Sequence, residues 1–202
     1  MRKPLTLVAC LAASTSLAQA PKVLVDNPHV RVSRGTGAQA VAGHPSSVII
    51  PLEDGPSWKA GDAYWSGHPE ARPAAGRGGP GAVVIVEPKP RKPSPAAPSA
   101  KPTATPDPSA FVGMSFTTIF ENDRVRVLRA RMDVGAREGF HTHPSDIVVV
   151  HLSGGTIEDT AEGRTKVKKW KRGDVEFEGQ GTSHSARNLG AAIDVVLVIS
   201  KP

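Results

Sequence analysis

The chain has 202 residues, with 20 glycines, 19 prolines, 4% aromatic residues and one cysteine, Cys10. Such a composition favours short strands joined by turns, and a lone thiol excludes both a disulfide framework and a thiolate-rich metal site. The net charge of +6 does not mark a nucleic-acid-binding face. Residues 111–202 hold thirteen basic and twelve acidic residues and residues 21–87 hold six of each, so the excess sits in the N-terminal leader and a proline-rich segment.

Residues 1–20 read as a signal peptide. Arg2 and Lys3 precede the apolar run Leu5–Ala13, which is too short to span a membrane, and small residues follow. Ala18-Gln19-Ala20 and Ser16-Leu17-Ala18 are alternative cleavage sites. Leu7-Val8-Ala9-Cys10 resembles a lipobox, but only nine residues precede Cys10, which disfavours lipidation. No other segment is apolar enough to cross a membrane. The expected location is periplasmic or secreted, and any metal ligands of the mature chain must be nitrogen or oxygen.

Residues 21–87 and 111–202 repeat each other across a spacer. Val25–Val32 matches Phe120–Val127, His44–Ile50 matches His143–Val149, Trp58–Asp62 matches Trp170–Asp174, and Val83–Val86 matches Val195–Val198, in the same order. The spacer, residues 88–110, holds eight prolines and must be extended. Alternating or β-branched runs such as Val125–Ala130, Ile147–Leu152 and Ala192–Ile199 predict strands. Ser153-Gly154-Gly155 and Glu162-Gly163 predict hairpin turns. The first unit keeps His44 but has Ala42 where the second has His141; His44 and His68 could pair, but they make a poor site without a carboxylate such as Glu70, and a degenerate unit that packs against its partner is the stronger reading.

His141-Thr142-His143 carries the chemistry. Residues two apart on a strand face the same way, so both imidazoles can reach one ion, and neutral imidazole suits first-row transition metals. Two solvated histidines are the alternative. Asp146 could reach the same ion if its strand enters with a bulge but is expected in an exposed turn, and His151 is expected at an exposed strand end unless it faces inward to support the ligands or act as a base. Glu176 and Glu178, flanking Phe177, are expected outward. Trp58, Trp65 and Trp170 are expected in the core or plugging the ends of the strands. Lys166–Arg172 is expected on a solvated edge strand.

The second unit resembles the cupin superfamily. Its first motif, G-x5-H-x-H-x(3,4)-E-x6-G, is matched by Gly135, His141, His143 and Gly154 or Gly155. The second, G-x5-P-x-G-x2-H-x3-N, is matched by Gly173, Gly181, His184 and Asn188, with Gly179 replacing the proline. The motif glutamate falls on Ile147 or Val148, both apolar. The resemblance implies an all-β protein of two cupin-type antiparallel barrels (double-stranded β-helix, or jelly roll), the first degenerate. It also implies a divalent transition metal (Fe, Mn, Ni or Zn) on His141, His143 and His184. Some cupins, the thiol dioxygenases among them, hold iron with three histidines and no carboxylate. The implied activity is of dioxygenase or isomerase type on a small molecule. The competing reading is a metal-free cupin that binds a small ligand or is purely structural. The two units are expected to pair within the chain, or the chain to form a homodimer.

Overall fold

The computed structural model describes residues 20–37, 39, 40, 44, 46–56, 58–67, 81–90 and 110–201. The leader with Cys10, residues 91–109 of the spacer, Ala42, His68 and Glu70 lie outside them. Among the described residues the fold is all-β, in two antiparallel sheets, and no helix is long and apolar enough to cross a membrane.

The first sheet contains β1 (Lys22–Asp26), β2 (Val30–Thr36), β3 (Val48–Pro51), β4 (Tyr64–Trp65) and β5 (Ala82–Pro88), in the order β1-β2-β5-β3-β4. The second contains β6 (Phe111–Glu121), β7 (Val125–Thr142), β8 (Ile147–His151), β9 (Gly155–Ala161), β10 (Arg164–Trp170), β11 (Val175–Glu178), β12 (Ser183–Asn188) and β13 (Ile193–Ser200). Its long central strand is β7. β6 runs along one edge, and the other edge is divided between β13, which pairs with Val125–Met132, and β12, which pairs with Arg137–Thr142. Two arms leave that edge, β13-β8-β11 and β12-β9-β10. They curl into a half-barrel around a cavity of about 530 Å³ that seven of the eight strands line together with β6 residues Phe111, Met114 and Phe116.

The turn chemistry follows local sequence in one case and not in another. Ala161 pairs with Arg164, leaving Glu162 and Gly163 as a two-residue loop with φ of 52° and 69°. Positive φ at both positions matches the right-handed twist of a hairpin. Ser153-Gly154, expected to close a hairpin, instead carries the chain from one arm to the other. β8 pairs with β13 and β11, and β9 with β10 and β12.

The two sheets share their ladders. Val32 pairs with Val86 as Val127 pairs with Val198, and Val48 pairs with Val86 as Val148 pairs with Val198. A register shift between Val23 and Val25 of β1 has its counterpart between Thr118 and Phe120 of β6. Asn27 Oδ1 accepts from the amides of His29 and Val30, and Asn122 Oδ1 from those of Arg124 and Val125. The sequence match set Val48 against Ile147, whereas the ladders set it against Val148. A one-residue slip exchanges the faces of a strand, so Val48, Ile50 and Leu52 correspond to the buried Val148, Val150 and Leu152. Among the described residues the first sheet has no counterpart of β9 and most of β10. Five residues separate Leu52 from Trp58, against seventeen between Leu152 and Trp170. Its described strands make a single open sheet, and residues 68–80, which follow β4, lie outside the described residues.

One apolar core joins the sheets. It takes Val30, Val32, Val48, Ile50, Val84 and Val86 from the first and Val125, Val127, Val148, Val150, Val196 and Val198 from the second, with Phe120 and Phe177 packed against it. The polar contacts across it come in corresponding pairs. Arg34 Nη2 donates to the Arg172 carbonyl at 3.3 Å, and Arg129 Nη1 to the Ala60 carbonyl at 3.4 Å. Gly173 (φ 81°) and Gly61 (φ 85°) each lie against the opposite unit. A Cβ on Gly173 would fall 1.9 Å from Arg34 Nη2, and one on Gly61 2.5 Å from Leu152 Cδ1.

Candidate metal centre

Two strands bring the histidines together. His141 lies in the last two residues of β7, His143 follows that strand directly, and His184 pairs with His141 across the β7–β12 ladder. One ring nitrogen from each lies within 4.8 Å of the others, and all three side chains are nearly or fully buried.

Each imidazole is held by its Nδ1 atom. His141 Nδ1 lies 2.9 Å from the Gly139 carbonyl, which can only accept. His184 Nδ1 lies 2.9 Å from Asp159 Oδ1. His143 Nδ1 lies 3.1 Å from Thr182 Oγ1, whose own hydrogen goes to the Gly179 carbonyl at 2.7 Å. These partners favour the proton on Nδ1 of each ring, which leaves Nε2 as the inward-facing ligand atom. His141 Nε2 and His143 Nε2 stand 3.2 Å apart, and His184 Nε2 is buried without a hydrogen-bond partner. Converging lone pairs with acceptors behind every Nδ1 form a cation site, and this is the way metal-binding histidines are oriented. The cluster fits a divalent transition metal.

Burial and its two neighbours hold His143 near a pKa of about 4, so it is neutral and able to ligate at neutral pH. Burial works against the Asp159 carboxylate, but the hydrogen bonds from His184 and Lys168 outweigh it and keep its pKa below the ordinary value. Lys168 Nζ lies 3.0 Å from Asp159 Oδ2 and 2.5 Å from Glu176 Oε1. A charged chain thus runs from Glu176 through Lys168 and Asp159 to His184.

Two further carboxylates face the cluster. Glu178 Oε2 is 3.5 Å from His143 Nε2. Glu138 Oε1 is 3.6 Å from His141 Nε2, and Glu138 Oε2 is 3.8 Å from His184 Nε2. Burial raises both pKa values, that of Glu178 to about 8, with Glu138 and Glu176 adding to the effect on Glu178. Desolvated acids beside these imidazoles are poised to accept a cation in place of their protons.

Several expectations need correction. Glu176 and Glu178 point into the cavity, because the face bearing Phe177 is covered by the first sheet. Asp146 is neither exposed nor near the cluster: it is buried, accepts from the Gln180 amide and lies 2.9 Å from His29 Nδ1 of the first unit. His151 is 2% exposed and lines the cavity, its ring stacked on Trp170 at 4.5 Å with both ring nitrogens unpartnered. β10 is an edge strand as expected, with Val167 exposed, yet its Lys168 turns inward. Trp58 and Trp65 are buried. In the first unit His44 is taken up by Glu87, Nδ1 to Oε1 at 2.9 Å.

Glu138, Asp159 and Lys168 were not foreseen. Lys168 shares parity with Trp170, which was legible. Glu138 is three residues before His141 and by alternation should face away. A register shift opposite Ser185 supplies the extra residue that turns it inward and exposes Phe140.

No family model matches the chain, and no curated protein matches it. Solved structures do. The chain is similar to a cupin domain from Bordetella pertussis Tohama I, at 25% identity and a TM-score of 0.42, over 45% of this chain and 96% of that one. It is similar to a conserved protein of unknown function from Streptococcus pyogenes, at 25% identity and a TM-score of 0.37, over 44% and 75%. A third similar structure is KdgF from a Halomonas species, at 21% identity and a TM-score of 0.39, over 45% and 80%.

Proposed function

We propose that this chain is an exported two-unit cupin whose C-terminal unit binds one divalent transition metal and acts on a small molecule beside it. The observation that carries the reading is the set of three histidines with every Nδ1 donating outward and every Nε2 lone pair directed at one point. Two ring nitrogens 3.2 Å apart need a cation or a shared proton between them, and one metal ion would engage all three rings at once.

Both cupin motifs place their histidines at this point, which supports the family. The shared ladders, the matching register shifts and the paired Arg34 and Arg129 contacts support a duplication, with the first unit reduced by loss of the β9–β10 region. The leader at residues 1–20 supports export.

The cavity indicates the kind of ligand. Its volume is in the range of small-molecule sites, and Leu128, Met132, Ile157, Ile193, Val195 and Leu197 give it apolar walls. Glu138, Asp159 and Glu178 stand beside the three histidines, and His151, Arg126 and Arg131 are further ionisable groups in the lining. The fitting ligand has an apolar body and an oxygen donor directed at His141, His143 and His184. A bound divalent ion supplies Lewis acidity at that oxygen. The chain's own contribution is to orient the donor, exclude water and, through Glu138, hold a proton beside the site. Dioxygenase and isomerase chemistry are the two classes to assay, and the metal's identity chooses between them.

Elemental analysis of the mature protein, purified without chelators or a histidine tag, tests the reading. About one transition-metal ion per chain is expected, and none in a His141→Ala/His184→Ala variant that keeps its β-sheet circular dichroism. Absence of metal after reconstitution with Fe(II), Mn(II), Ni(II) and Zn(II) would leave the metal-free ligand-binding cupin.

A further inference from the structure

The sequence has an apolar residue where the cupin motif has its carboxylate, and the structure shows another carboxylate facing the same space. In the β8–β11 ladder Glu178 is the direct partner of Ile147. Directly opposed residues of an antiparallel pair leave the same face of the sheet, with Cβ atoms about 4.5–5.5 Å apart. Ile147 and Glu178 both line the cavity. A side chain reaching in from position 178 therefore enters the region a glutamate at 147 would occupy.

The distance to His143 suits a ligand, and because Glu178 lies outside the group whose ligand atoms are all within 4.8 Å of one another, its side chain must swing toward His141 and His184 to complete the site. With metal–ligand bonds near 2.1 Å, adjacent ligand atoms lie about 3.0 Å apart in an octahedron and about 3.4 Å apart in a tetrahedron. The His141–His143 edge is 3.2 Å and the His143–Glu178 edge is 3.5 Å. We propose that Glu178 is the carboxylate ligand of this centre, moved one strand over from the motif position, so that the site is three histidines and one glutamate. The proposal rests on the reading that the three histidines bind a metal. Glu138 is the rival: it divides its two oxygens between His141 and His184 at the longer distances of 3.6 and 3.8 Å. It precedes the histidines on their own strand and is assigned the role of neighbouring acid.

Metal titration of the chelator-stripped mature chain by calorimetry, with Mn(II), Co(II) and Zn(II) each used alone, tests this. Four proteins are compared: unaltered, Glu178→Gln, Glu138→Gln, and the double variant Ile147→Glu/Glu178→Gln. Glu178→Gln is expected to weaken binding by at least about tenfold and to change the visible spectrum of bound Co(II), while Glu138→Gln weakens binding less and leaves the spectrum near that of the unaltered chain. Returning the carboxylate to position 147 is expected to restore the lost affinity, which repair of a merely structural defect would not do. Unchanged binding by Glu178→Gln overturns the assignment alone, as does a loss confined to Glu138→Gln or a failure of Ile147→Glu to rescue. Absence of binding by the unaltered chain overturns the metal reading itself.

Discussion

His151 shows what a single residue contributes when the fold leaves it unpaired. Its ring is buried against Trp170 and neither nitrogen has a partner, a situation that costs about 1–3 kcal/mol. Burial holds its pKa near 4. Asp174 opposes that shift and Lys168 adds to it. Below the unfolded-state value of 6.5 the unfolded chain takes up a proton that the folded chain refuses, so stability falls as pH drops from about 6.5 toward 4. The slope from this one group is about 1.4 kcal/mol per pH unit. Replacing the ring with an apolar side chain removes both penalties. His151→Leu is expected to raise stability in urea melts at pH 7 by about 1–3 kcal/mol and to lose part of the acid sensitivity between pH 6.5 and 4.5. If the variant is less stable and equally acid-sensitive, the imidazole has a partner in solution and is no orphan.

At the scale of the strand, β11 separates two jobs that alternation alone assigned to the wrong sides. Phe177 faces the core between the sheets and stacks near His29, with ring centroids 6.1 Å apart, while Glu176 and Glu178 face the cavity. Phe177→Ala is therefore expected to destabilise the protein by about 3 kcal/mol, the low end for a phenylalanine only partly buried. It should leave metal content unchanged, as urea melts and elemental analysis of the same sample would show. The histidine positions were legible because a period of two and two spaced motifs fix which side chains meet. The direction of β11 was not, because the sequence of one strand gives its alternation but not which face another sheet will cover. Asp146 was misjudged for the same reason: its partner His29 lies 117 positions away by number, in the other unit. Glu138 was hidden by a bulge, which breaks the period on which its orientation would be read.

The whole molecule is bound together by an interface that the two units form on corresponding surfaces. Arg34 reaches the Arg172 carbonyl, and Arg129, its counterpart, reaches the Ala60 carbonyl, where Ala60 is the counterpart of Arg172. Contacts that exchange in this way are those of a two-fold dimer, here made within one chain. The apolar residues between the sheets are fully buried: Val125, Val127, Val150 and Val196 are each at 0% exposure. Removing the first unit would open that face to water at about 25 cal/mol per Å² of apolar surface, with Val148, Leu152 and Val198 beside them. Residues 111–202 expressed alone are thus expected to form a homodimer, each copy covering the other as the first unit covers the second, with Arg129 donating to the partner's Arg172 carbonyl. Light scattering would read twice the fragment's mass. Arg129→Ala would weaken the fragment dimer, while the intact chain, which keeps the Arg34 contact and the covalent link, should remain folded and unfold in one transition. A fragment that stays monomeric and as stable as the intact chain would mean that the shared core is not what holds the second sheet together.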